Sequence, residues 1–433
     1  MFLTVISLLL YLATTFVGLY IDSATFERRY DHSSVKTLKR LYLVWLYIFL
    51  CFGYMTGSDW RNYELTYIYG DRIDRLSMEP ASSFVFTFFP KFISDFVLFM
   101  GIVKCIYLYS VYKLVSAVTS KWVSVLALLI PFKLGFMLIQ NPFRFMLALI
   151  FINFAFRQIY LFCAKPSKHN TRTFLLAMGI GLISVLFHTS CVVFLVLIPL
   201  SCIVDKVKKV NPYILFFAYV VFAFFTSNLS YVNGLKESAI LYVQRYMEMS
   251  DYSNYESDSN EVIWSIGNLL RFLFFYFIVR SRNQICQSYN NGSIVYGFTV
   301  FYFFLSRLLI LIPTGFRLSL PFMVFYVVMI IYMISCGSIT SSSSALSGQG
   351  RIQAYGIPKR NIRSLRYIRF CAQIIIVYSA FSFGKKAWTS YDIIPYTNSI
   401  PYIMFGHKSY DERSQYNLDA YMERLGEPYE KTE

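Results

Sequence analysis

Five carboxylates, Asp59, Glu64, Asp71, Asp74 and Glu79, lie between Gly57 and Pro80, interleaved with Trp60 and the tyrosines Tyr63, Tyr67 and Tyr69. Suitably spaced carboxylates do acid/base work on sugars, and aromatic rings stack on sugar faces. An acid in such a segment is also served by simple hydration. Gly57 sets Asp59 apart, because a turn there would present its carboxylate. Further along, Arg144 follows the run Gln140-Asn141-Pro142-Phe143. An arginine at the end of an apolar helix ordinarily snorkels to the interface. Turned inward, its guanidinium fork fits a phosphate bidentately. Arg307 lies inside an apolar run and Arg317 just beyond Pro313-Thr314-Gly315. Arginines at such depth are costly and point to an anion site, with a membrane-borne diphosphate the natural ligand. His188 sits in the middle of a long apolar stretch, either as a satisfied bundle residue or as a base beside a leaving phosphate. No second histidine shares its span, so a metal site is not expected there.

The elements that must position these residues are membrane helices. The 433 residues are 56% hydrophobic and only 15% charged, against roughly a quarter charged in soluble domains. Apolar runs of about 17–25 residues recur, the length that crosses about 30 Å of hydrocarbon. The alternation expected of a barrel strand is missing. We expect an all-α polytopic membrane protein of about twelve helical segments with long outer loops.

The formal charge of +16 fits topology better than nucleic acid, because the cations cluster in alternate loops as the positive-inside rule requires. Glu27–Arg40, the segment ending at Lys121, Lys165–Arg172, Lys206–Lys209, Arg280–Arg282 and Lys359–Arg369 are read as inner. The acidic, tyrosine-rich segment Ser227–Glu261, with Tyr242 and Tyr246, is read as outer. The eight cysteines form no CxxC or Cys/His cluster. The apolar N-terminus reads as a retained helix rather than a signal peptide. The layout expected is a transmembrane domain over 1–383 and an outer tail over 384–433. Within the domain, 57–91 and 227–261 are outer loops and 337–369 a basic cytoplasmic loop.

One run resists a single crossing. From Thr173 to Val204 it is about 32 residues long with cations at both ends. A pair of half-helices broken at His188-Thr189-Ser190 keeps both ends inside. Irregular backbone at that depth needs a cavity or protein burial around it.

The order of motifs resembles a known family. Gly57-x-Asp59-x-x-x-Tyr63 and Glu79-Pro80 precede Gln140-x-x-x-Arg144-x-x-x-Ala148. His188-Thr189-Ser190 and Phe316-Arg317-x-x-x-x-Phe322 follow. This pattern resembles the EpsG family of exopolysaccharide and O-antigen polymerases, the Wzy-type enzymes. The resemblance implies a GT-C-like, metal-independent membrane glycosyltransferase of the bacterial inner membrane, with no cofactor. Its substrates would be undecaprenyl-diphosphate-linked oligosaccharides. Asp59 or His188 would be the base, Arg144, Arg317 and Arg307 the diphosphate ligands, and Tyr63, Glu79, Gln140 and Tyr246 substrate- or sugar-binding residues. The lipid bilayer is an expected partner and nucleic acid is not; a separate chain-length regulator is a possible partner, and the sequence does not reveal whether one binds. A lipid-linked oligosaccharide flippase, or an O-antigen ligase of the same broad type, would share many of these features.

Overall fold

The computed structural model describes residues 2–53, 63, 64, 66, 67, 78–134, 142–164, 171–227, 266–289, 291–309, 315–342 and 360–389. Asp59, Gln140 and Tyr246 lie outside the described residues, as do nearly all of the 227–261 segment and the tail beyond residue 389. Every extended regular element among the described residues is a helix. Three, Phe96–Val118, Phe143–Ala164 and Arg317–Ser335, are long and apolar enough to cross a membrane. Seven shorter apolar helices of 10–17 residues accompany them among the described residues. The chain forms two compact units. The first takes Met1–Gln158, Asn170–Ile198 and Tyr378–Glu433; the second takes Ile159–His169 and Pro199–Val377.

In the first unit, α1 (Phe2–Ile21) packs against α3 (His32–Leu46) and α6 (Trp122–Leu129). The packing is close because Gly18 has no side chain: a Cβ there would meet Ala127 Cβ at 2.5 Å. Tyr42 donates to the Thr14 carbonyl at 2.9 Å. Asp22, at the foot of α1, pairs with Lys39 at 2.6 Å and accepts the Ser124 N–H at 2.8 Å in the first turn of α6. Glu27–Arg40, expected as a loop, is largely helical: α2 is Ala24–Arg29, and Asp31 caps α3. Lysine and arginine are good helix formers, so a basic segment need not be irregular.

The 57–91 segment likewise contains α4 (Pro80–Phe88) and a 3-10 turn at Phe89–Lys91. Next comes α5 (Phe96–Val118), whose N-terminus is capped by Asp95 accepting from the N–H groups of Val97 and Leu98. Then α7 (Phe143–Ala164) starts directly after Pro142, as the sequence predicts. The long apolar run breaks where expected: α8 (Thr171–Phe187) ends before His188, and a 3-10 turn at Thr189–Cys191 leads into α9 (Val192–Ser201).

In the second unit, a 3-10 turn at Val204–Lys209 precedes α10 (Pro212–Ser227), and α11 (Ile266–Arg280), α12 (Arg282–Ser288), α13 (Gly292–Leu308) and α14 (Leu320–Ser342) follow. The core here is aromatic, with Phe298 stacked on Phe325 at 4.1 Å and Tyr219 set among Phe275, Phe303 and Phe304. The last helix among the described residues, α15 (Arg360–Thr389), belongs to the second unit up to Val377 and to the first from Tyr378, and runs unbroken through residues expected in the 337–369 loop.

Candidate functional site

Glu79 precedes Pro80, and the residue before a proline is steered to extended backbone. Its φ of −59° and ψ of 146° comply, and Pro80 starts α4 where a missing N–H costs nothing. The Glu79 side chain makes no cap for its own helix. It reaches the broken run, where Oε1 lies 2.9 Å from His188 Nδ1 and accepts the Thr189 N–H at 3.3 Å. Its other oxygen, Oε2, accepts from Arg144 Nη1 at 2.9 Å. A single carboxylate therefore joins the second residue of α7 to the break between α8 and α9.

The break is held from the same side by a second group. Ser82, fully buried, lies three residues after Glu79 and so on the same face of α4. It donates to the Phe187 carbonyl at 2.9 Å, one of the carbonyls left without an intrahelical partner at the end of α8. His188 itself is extended, with φ −157° and ψ 114°. The Phe145 ring meets the imidazole edge-on at 5.3 Å.

Arg144 is supported by an aromatic cluster. Tyr63 stacks on Phe86 at 5.8 Å and lies 5.6 Å from Phe143, and its hydroxyl hydrogen-bonds to the Arg144 side chain. Phe99 packs against both Phe86 and Phe143, with Tyr67 stacked on Phe99 at 4.6 Å. These rings fix the start of α7 and with it the guanidinium.

The triad is sheltered but open to solvent, with side-chain exposures of 12% for Glu79, 23% for Arg144 and 27% for His188. Burial pushes the Glu79 carboxyl up. The His188 hydrogen bond and the Arg144 charge more than reverse this and hold it at about 2. Glu79 is thus ionised at neutral pH and can only accept, so His188 Nδ1 is the donor of their hydrogen bond. That leaves Nε2 as the basic nitrogen, in the manner of a carboxylate-oriented imidazole.

Of the residues singled out from sequence, Tyr63, Glu79, Arg144 and His188 come together in the first unit. Arg307 and Arg317 belong to the second. Arg307 is 1% exposed, donates to Asn268 Oδ1 at 2.5 Å and lies over the Phe272 ring at 5.8 Å. Arg317 sits in the 3-10 turn Gly315–Ser319. Sequence reasoning missed Ser82, although its position in the first turn after Glu79-Pro80 was a usable signal. Among the described residues, no group of three or more His, Cys, Asp and Glu side chains is arranged to hold a metal ion.

A family model described as EpsG family matches residues 36–347, which include every residue of this site. No curated protein matches the chain. No solved structure matches it either.

Proposed function

This chain belongs to the EpsG family of polysaccharide polymerase-like membrane proteins, and on that premise we propose that it is a Wzy-type glycosyltransferase. It moves a growing glycan from undecaprenyl diphosphate to the non-reducing end of a lipid-linked repeat unit, at the outer face of the bacterial inner membrane. The observation that carries this reading is the Glu79 carboxylate shared between His188 and Arg144.

In the reaction, His188 Nε2 takes the proton from the acceptor hydroxyl while Glu79 holds Nδ1–H and stabilises the imidazolium that forms. The acceptor oxygen bonds to the anomeric carbon of the donor glycan. The bond from that carbon to the diphosphate breaks, and its electron pair leaves with the lipid diphosphate. A guanidinium carries five N–H donors, so Arg144 keeps donors for the leaving diphosphate beyond those given to Glu79 and Tyr63. In this reading arginine rather than a metal offsets the departing charge. Asp59 is the second candidate base, with Tyr63, Gln140 and Tyr246 on the sugar side.

Purified protein given a synthetic lipid-diphosphate repeat unit should convert it into a ladder of longer glycans. If labelled units cross a vesicle membrane without lengthening, the chain is a transporter and this reading fails.

A further inference from the structure

In the second unit, the start of α10 lies beside the end of α11. The two helices pack antiparallel, with Phe216 meeting Tyr276 edge-on at 5.3 Å. Arg280 closes α11. It is exposed, donates to the Tyr276 hydroxyl at 2.7 Å and lies over that ring at 5.9 Å. Tyr213, 67% exposed at the start of α10, lies three residues before Phe216 and so on the same face of that helix. Beside them Arg282 donates to the Val210 carbonyl, and Lys206 and Lys209 are exposed. The one acid on this turn, Asp205, is taken up by Lys208 at 2.9 Å.

Above this basic, tyrosine-lined end the two helices present apolar surface. Ile214, Phe217 and Val221 on α10, with Leu269 and Leu273 on α11, are all exposed. From residue 262 to 391 the sequence contains no aspartate or glutamate. Cation, interfacial tyrosine and apolar stripe follow one another in the order of a phospholipid's phosphate, glycerol and acyl chains. The positive-inside rule assigns this end to the cytoplasmic leaflet.

We infer that Tyr213, Tyr276 and Arg280 form a binding site for an anionic glycerophospholipid of the inner leaflet, its phosphate on Arg280 and its acyl chains along α10 and α11. The site is separate from the Glu79 cluster and does not depend on the reaction proposed for it.

The full-length protein, purified in neutral detergent, would be mixed with equal phosphatidylglycerol and phosphatidylcholine, and retained lipid read by native mass spectrometry. Preferential retention of phosphatidylglycerol is expected. Arg280→Ala should lower it about fivefold, the scale of one basic residue at an anionic surface, and leave phosphatidylcholine unchanged. Tyr213→Ala, on an exposed position, gives a second reading should Arg280→Ala fail to fold, and should weaken the same preference. Equal retention of the two lipids, or a preference that survives both substitutions, overturns the inference. So does displacement of the lipid by millimolar glycerol 3-phosphate, which would make this a site for a soluble phosphate.

Discussion

Replacing Glu79 by Gln exchanges one carboxylate for an amide and leaves the length of the side chain unchanged. The amide oxygen can still accept from His188 Nδ1, now 2.9 Å from Oε1. The amide nitrogen then faces Arg144 Nη1, where Oε2 accepts at 2.9 Å, and two donors meet. A half-sheltered guanidinium loses its counter-charge. Breaking a fully buried pair costs about 3–5 kcal/mol; with Arg144 23% exposed, water offsets part, and about 2 kcal/mol of stability is expected to go. The rate falls further, because the imidazolium formed on proton transfer has no anion beside it. General-base catalysis is worth about 10²–10⁴; with the tautomer preserved, a loss near 10² is expected, about 2.7 kcal/mol of barrier. The assay is the initial rate of ladder formation from a labelled lipid-linked unit, with thermal unfolding followed on the same samples. The Michaelis constant should stay within about twofold, since Glu79 acts through His188 rather than on bound sugar. Glu79→Asp should be nearly as slow, one methylene too short to span both partners. A folded Glu79→Gln protein that works within about threefold of the native rate would refute the orienting role.

Further outcomes follow from the same contacts. The Glu79 carboxyl is held at about 2, below its ordinary 4.5, so the native state prefers it ionised. Its contribution, at most about 3 kcal/mol, is complete above pH 4.5 and is lost as pH falls towards 2; acid unfolding of Glu79→Gln should lack that component. Asp22→Ala removes the fully buried partner of Lys39, which keeps only the exposed Glu27 at 3.1 Å, and takes the acceptor from the Ser124 N–H. About 3 kcal/mol of destabilisation is expected, seen as a lower unfolding temperature with an unchanged rate per folded molecule. Gly297→Ala would put a Cβ 2.1 Å from the Val204 carbonyl oxygen, forcing α13 off the 3-10 turn at Val204–Lys209. A loss of about 2 kcal/mol should show as reduced yield of folded protein, and a native melting temperature would contradict this packing.

The parts of the fold that could be read in advance are those with local causes. Pro142 before Phe143 marks the start of α7, and 32 apolar residues between two basic ends imply the break at His188. Basic stretches read as loops, whereas α3 and α15 extend through theirs, where long side chains can reach water from a continuing helix. Glu79, Arg144 and His188 were each singled out by residue type and setting. Their meeting was not legible, since the partners lie 65 and 109 residues apart and nothing local encodes which cation a carboxylate will find. Glu79 reads from sequence as a structural or sugar-binding acid, and the folded chain gives both its oxygens to protein. Ser82 went unnoticed because a serine in an apolar helix carries no signal until its carbonyl partner is known.

With His188 Nε2 taking the acceptor proton, His188→Gln removes the base itself. Glutamine can still hydrogen-bond to Glu79 but cannot act as a base. Single-turnover transfer between a labelled donor and an acceptor lipid-linked unit should slow at least about 10²-fold, with binding of both lipids retained. Transfer at the native rate by this variant would return the role of base to another residue.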